Sequence, residues 1–143
     1  LTQAAGCSPI VNAFQAGTLH VHPVKPNTIA KSIAIGNPAD GYYALRVARQ
    51  SGGGAAAVSD EEAMAGVKLL AQTEGIFAEA AGGVVIAAIK KLVGAGRIKG
   101  NELTVAFITG AGPRTQEVVA DIIQPARVQP SVASFEEVLG ARV

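Results

Sequence analysis

The stretch LTVAFITG, Leu103 to Gly110, decides how this chain is read. Every residue ahead of the glycine is apolar or β-branched, and Asn101 and Gly110 bracket the run with turn chemistry. An uninterrupted run of this kind predicts a strand buried on both faces, whose natural home is a parallel sheet. Gly110 to Pro113 then turns the chain, and Thr115 to Ile123 reads as the following helix.

Working upstream, Ala80 to Val93 is apolar nearly all round until Lys90 and Lys91, the pattern of a helix in a protein interior. Its cations lie near the C-terminal end, where they favour the helix dipole, and Gly94 and Gly96 terminate it. Before it, Ser59 with Glu62 three residues on forms a capping box that opens a helix over about 60–73. Ala63, Met64, Val67, Leu70 and Ala71 give that helix one apolar face, and Gly75 closes it. Ala55 to Val58 is a short strand-like run. The turn from Gly36 to Gly41 drops into a helix over 42–50, and Pro9 to Ala16 makes another. Between them, Thr18 to Gly36 is an ordered loop with Pro23 and Pro26 that leads to a short strand. Downstream, Ser134 to Leu139 is a short amphipathic stretch.

Helices alternating with buried strands indicate an α/β protein, here part of a doubly wound, mostly parallel sheet with helices on both faces. Only two or three stretches read as strands, few for a sheet covered on both sides. The sheet is therefore expected to be incomplete, and residues 1–143 to be the downstream part of something longer. Leu1 stands where a Met would open a complete chain, which points the same way.

Composition narrows the function classes. Of 143 residues, 49% are apolar, and 27 of these are Ala, so a core is affordable. Charged residues are 16%, with 12 basic against 11 acidic, which excludes a nucleic-acid-coating surface. The longest nearly apolar stretch, Ile76 to Ile89, is 14 residues and holds Glu79, short of the roughly 18 a membrane span needs. One cysteine, Cys7, makes no internal disulfide, and no basic segment precedes an apolar signal core, so the compartment is read as cytoplasmic.

Several positions could carry chemistry. In open α/β sheets ligands sit beyond the carboxyl ends of strands, which is where Thr109, Gly110, Ala111 and Gly112 fall. The Thr109 hydroxyl either faces a ligand or caps the strand-to-helix turn locally. Glu79 interrupts an apolar run at a helix start. It is either a carboxylate held by the dipole and backbone N–H groups or a buried acid beside a cofactor. Gly82 and Gly83 inside that helix each cost roughly 0.8–1 kcal/mol against Ala, so a backbone or a planar ligand approaches closely. His20 and His22 have metal-ligand spacing but no Cys, Asp or Glu within ten residues, and no metal is assigned. Cys7 reads as structural. Gly110-Ala111-Gly112 is half a dinucleotide fingerprint, with Thr115 where the third glycine would stand.

Taken in order, the segments Gln3 to Pro9, Ala34 to Ala39, Ser59 to Glu62, Glu74 to Phe77, Glu79 with Ala81 to Gly83, and Ile108 to Gly110 resemble a known family. It is the tryptophan-synthase-β family of pyridoxal-phosphate enzymes, fold type II, in its threonine synthase branch. The Ile35-Gly36-Asn37-Pro38 segment favours that branch over the related threonine and serine dehydratases, which remain the alternative. The resemblance implies that Thr109 hydrogen-bonds the pyridine nitrogen of pyridoxal 5'-phosphate, that Gly36 and Asn37 line the pocket, and that Glu79 and Gly110 lie beside it. It implies O-phosphohomoserine and water as substrates, threonine and phosphate as products, no nucleic acid and no membrane. The family's Schiff-base lysine and phosphate cradle belong upstream of the residue matching Leu1. No catalytic residue is therefore assigned here, and the isolated chain is expected to be inactive. Lys31, Lys68, Lys90, Lys91 and Lys99 all lie outside such a context. Ala80 and Gly112-Pro113-Arg114 depart from the family pattern. The expected associations are a homo-oligomer or pairing with the missing N-terminal part. The competing reading is a non-catalytic module that pairs through an exposed sheet edge.

Overall fold

The computed structural model describes residues 1–120 and 126–140. It is an α/β arrangement whose sheet has two parallel strands, β1 (Thr2–Ala4) and β2 (Ala56–Val58). Thr2 pairs with Ala56, Gln3 with Ala57 and Ala4 with Val58. Ala4 and Val58 turn inward and are fully buried. The helices are α1 (Pro9–Gln15), α2 (Gly41–Gln50), α3 (Asp60–Glu74), α4 (Ala80–Gly94) and α5 (Val132–Gly140).

The starts of α1 and α3 are fixed by identifiable chemistry. Pro9 opens α1 without an N–H to satisfy, and the side-chain oxygen of Gln3 in β1 accepts the next two N–H groups, those of Ile10 and Val11, at 2.9 Å each. The capping box of α3 forms as expected: Glu62 N–H donates to Ser59 Oγ at 3.2 Å, and Ser59 N–H to Glu62 Oε2 at 2.8 Å. Asp60 then reaches across to accept from the Thr28 hydroxyl and, at 3.1 Å, from Ile29 N–H. This ties the proline-rich loop to the start of α3. The short strand expected there is instead a 3-10 turn, Lys31–Ile33, and Ile33 packs against the core.

The core is built mainly of small residues. Ala80, Val84, Ala87 and Ala88 of α4 meet Ala63 and Val67 of α3, with the inward side of both strands and Ala30 behind them. At the α3/α4 crossing a Cβ on Gly66 would overlap the Gly83 carbonyl, and one on Gly83 would overlap the Ala63 carbonyl. The close approach expected around Gly82 and Gly83 is therefore backbone at Gly83, while Gly82 lies against Ala78 and Ile108. Alanine abundance and this glycine pair together let two helices touch main chain to main chain.

Two further expectations are corrected. Leu103 to Thr109 pairs with no strand; it is an irregular segment with Leu103, Val105 and Phe107 exposed to 97%, 68% and 76%. A strand needs a neighbour for its backbone and helices over its faces for burial; the described sheet stops at β1 and β2, and nothing among the described residues covers these side chains. The helix expected over 115–123 is a 3-10 segment, Gly112–Val118, broken at Thr115, whose φ of −139° and ψ of 52° are not helical. The end of that stretch, 121–123, lies outside the described residues. No helix among the described residues is long and apolar enough to cross a membrane.

Candidate functional site

Phe77 to Glu79 leaves α3 in an extended path and meets the chain returning at Gly110 to Gly112. Ala78 and Ala111 form an antiparallel bridge. Glu79 N–H donates to the Gly110 carbonyl at 3.0 Å, and Gly112 N–H to the Phe77 carbonyl at 2.9 Å. A side chain at either outer glycine would force its neighbour to move. A Cβ on Gly110 would overlap the Glu79 carboxylate, and one on Gly112 would overlap the Phe77 ring. Glu79 is consequently buried, at 4% exposure, although it opens a helix.

The α4 N-terminus is capped from elsewhere. The Glu79 side chain sits at the N-cap position but makes no cap bond, so the backbone N–H groups expected to hold this carboxylate do not. The buried Thr115 hydroxyl, at 6% exposure, instead accepts Ala80 N–H at 3.1 Å from a position 35 residues later. One hydroxyl thus locks the turn after Gly110 to the start of α4. Sequence reasoning did not assign Thr115 this work, because a cap normally sits directly before the helix it serves.

Thr109 stands at the mouth of the clasp. Its side chain is exposed and, among the described residues, takes part in no hydrogen bond. The local cap offered as its bland reading is not formed. The clasp therefore brings three of the five candidate positions together: Thr109, Gly110 and Glu79. Gly36 and Asn37 sit in the proline-rich loop. A Cβ on Gly36 would overlap the Val24 carbonyl, and Val24 N–H donates to the Gly36 carbonyl at 2.9 Å. Asn37 is exposed. No hydrogen bond among the described residues joins that loop turn to the clasp.

The remaining candidates fall elsewhere. His20 and His22 contact edge to face, ring centroids 4.6 Å apart, and no group of three metal-ligating side chains occurs among the described residues. Cys7 is buried, and burial pushes its thiol pKa up, away from nucleophile character. Lys68 and Lys90 line a trough between α3 and α4, and Lys91 is bound to Glu62 at 2.7 Å.

The sequence profile described as pyridoxal-phosphate dependent enzyme matches residues 1–110, ending on the clasp's own glycine. The chain belongs to that family. Complete enzymes of the family carry pyridoxal phosphate. The threonine synthase of Methanosarcina acetivorans is 37% identical over 139 residues, covering 96% of this chain and 34% of that protein. That of Methanocaldococcus jannaschii is 47% identical over 111 residues, 77% of this chain and 27% of the relative. That of Mycobacterium tuberculosis is 36% identical over 133 residues, 90% and 35% respectively. The chain thus spans about a third of the length of the curated relatives it matches.

The fit to a planar cofactor of this family rests on Thr109, whose exposed hydroxyl keeps hydrogen-bonding capacity for a ring nitrogen; the room that Gly110 leaves is taken up by the buried Glu79 carboxylate.

Proposed function

We propose that residues 1–143 form the C-terminal part of the large domain of a fold type II threonine synthase and contribute one wall of its pyridoxal-phosphate site. In this reading β1 and β2 belong to a doubly wound, mostly parallel sheet. The parent reaction is conversion of O-phosphohomoserine and water to threonine and phosphate, in the cytoplasm. A single cysteine with no internal disulfide partner supports that compartment.

The observation that carries the reading is the clasp: an exposed Thr109 hydroxyl, free of hydrogen bonds among the described residues, beside a glycine packed on buried Glu79. The cofactor, when bound, supplies the electron sink for the reaction. Thr109 holds its ring nitrogen by a hydrogen bond, and a hydroxyl, unlike a carboxylate, does not stabilise the protonated nitrogen. Gly110 and Glu79 shape the floor next to it, Thr115 keeps that floor in register with α4, and Gly36 and Asn37 line a second wall. No lysine of this chain has the family's covalent role, so the 143 residues alone do not turn over substrate.

A chimera tests this directly. Replacing the matching third of the M. acetivorans enzyme with this chain should give a protein that binds pyridoxal phosphate and forms threonine and phosphate. Thr109→Val in it should alter the cofactor's absorption spectrum and lower turnover by about tenfold or more. Dehydration of threonine by the chimera would instead establish the dehydratase alternative. A chimera that folds without binding cofactor would overturn the reading. On the isolated chain, borohydride reduction with pyridoxal phosphate followed by intact mass should show no stoichiometric adduct; one on a single lysine would defeat the assignment of inactivity. The exposure of Leu103, Val105 and Phe107 favours a second reading, a module that pairs through this segment with another chain.

A further inference from the structure

The connection between α1 and α2, residues 16–40, carries Gly36 and Asn37, and its regular structure is one short 3-10 turn. Ordering so long a connection costs backbone entropy, which fixed contacts have to offset. Its middle is bolted to the start of α3. One Asp60 oxygen accepts from the Thr28 hydroxyl, and the other accepts from Ile29 N–H at 3.1 Å. Thr28 Oγ1 in turn accepts Ala30 N–H at 3.2 Å, and Ala30 is fully buried in the core. A carboxylate only accepts, so both of its oxygens are committed to donors of this loop. Asn27 N–H adds a bond to the Gly6 carbonyl at 2.9 Å.

From these bolts the chain reaches the site residues through stiff links. Pro23 and Pro26 bracket Val24 and lock their own φ angles. Val24 N–H donates to the Gly36 carbonyl at 2.9 Å. Gly36 packs so closely that a Cβ on it would overlap the Val24 carbonyl and press on the Pro26 ring. Gly36 therefore takes its position from 24–26, and 24–26 takes its position from Thr28 and Asp60. All of these contacts lie inside the chain, and no hydrogen bond among the described residues joins them to the Gly110 clasp.

We propose that Asp60, acting through Thr28, is a positioning residue that sets the Gly36–Asn37 turn, so that the loop and the clasp are two independently held walls of the site. The clasp then answers to the cofactor ring and the loop turn to the phosphorylated amino-acid substrate. That division rests on the threonine synthase reading given above; the coupling of Asp60 to Gly36 does not.

Four variants separate the two: Asp60→Ala, Thr28→Val, Thr28→Ser and, as a control for lost negative charge in the first turn of α3, Glu61→Ala. In the chain itself, amide hydrogen exchange at Val24 should quicken about tenfold or more with Asp60→Ala and Thr28→Val, and stay near wild type with Thr28→Ser and Glu61→Ala. Exchange at Glu79, whose N–H is bonded within the clasp, should stay unchanged in all four. Thr28→Val removes one bond of the pair, so it reads the coupling even where Asp60→Ala does not fold. In the chimera described above, Asp60→Ala and Thr28→Val should raise KM for O-phosphohomoserine about tenfold or more and leave the cofactor's absorption spectrum unaltered. Wild-type exchange at Val24 overturns the coupling. Equal acceleration at Val24 and Glu79 overturns it too, because Asp60 would then only stabilise the fold as a whole. Faster exchange at Val24 with an unchanged KM overturns the positioning role. A chimera whose spectrum ignores Thr109→Val strikes the threonine synthase reading instead, and the exchange result stands apart from it.

Discussion

Helix α4 and the segment Leu103 to Thr109 are the two most apolar stretches described, and they end in opposite environments. Ala80 to Val84 and Ala87 to Ala88 are buried, while Leu103, Val105 and Phe107 are among the most exposed large side chains in the molecule. The difference is where the covering atoms come from. For α4 they lie in α3 and the two strands of the same chain, reached through a short connection. For 103–109 they would have to be elements packed over both faces, and among the described residues none covers Leu103, Val105 or Phe107. Apolar composition states that a segment wants cover, and only topology supplies it.

That contrast yields the largest expected effect. Gly83→Val puts a branched side chain where the Ala63 carbonyl and Val67 already sit, so the α3/α4 crossing must open. We expect a loss of about 3 kcal/mol or more in urea denaturation of the chain. Leu103→Ser and Phe107→Ser should change stability by less than about 0.5 kcal/mol, because both side chains are already in water. A large cost at Leu103 or Phe107 would mean that the segment is covered in solution, by another chain or by pairing of two edges.

The clasp should be intermediate. Thr115→Val removes the acceptor of Ala80 N–H in a buried setting, which costs about 1–2 kcal/mol, whereas Thr115→Ser keeps the oxygen and most of the stability. Hydrogen exchange at Ala80 should accelerate in the Val variant and stay near wild type in the Ser variant. Gly110→Ala should cost about 1–3 kcal/mol, since the methyl displaces buried Glu79. Equal exchange rates at Ala80 in all three proteins would show that the clasp does not depend on this hydroxyl.

These effects track what the sequence reveals. The Ser59/Glu62 capping box, the interior character of α4 and the bounds of α2 and α3 follow from local chemistry and are found within a residue or two of expectation. Strand β1 was not legible: Thr2–Ala4 has no period to read, and it is a strand only because Ala56–Val58 lies beside it. Glu79 and Gly110 each stood out alone, one as a charge in an apolar run and the other as a turn glycine. That they touch is a fact of tertiary path, since 31 positions separate them. The Thr115 cap is hidden for the same reason, and its displacement of the expected 115–123 helix follows from the non-helical backbone that aims its hydroxyl at α4.

The smallest expected effect concerns the outer side of the same helix pair. Lys91 reaches Glu62 at 2.7 Å and the Ala57 carbonyl at 3.0 Å, joining α4 to the capping box of α3 and to β2. The Lys91 contact, then the Ser59 backbone N–H, holds the Glu62 carboxyl below its ordinary value of 4.5. A carboxylate whose pKa is depressed by folding stabilises the fold fully above its unfolded pKa and loses that contribution as pH falls through the folded value. The acid-side loss from this pair therefore begins below about pH 4.5 and is complete only under the lowered value. Both side chains are more than a third exposed, so solvent screening keeps the pair under about 1 kcal/mol. In Lys91→Met the urea midpoint at pH 7 should fall slightly, and the difference from wild type should shrink as pH drops below 4 and as salt rises. A difference that persists unchanged at low pH would assign the role of Lys91 to its bond with Ala57 and its apolar stem rather than to Glu62.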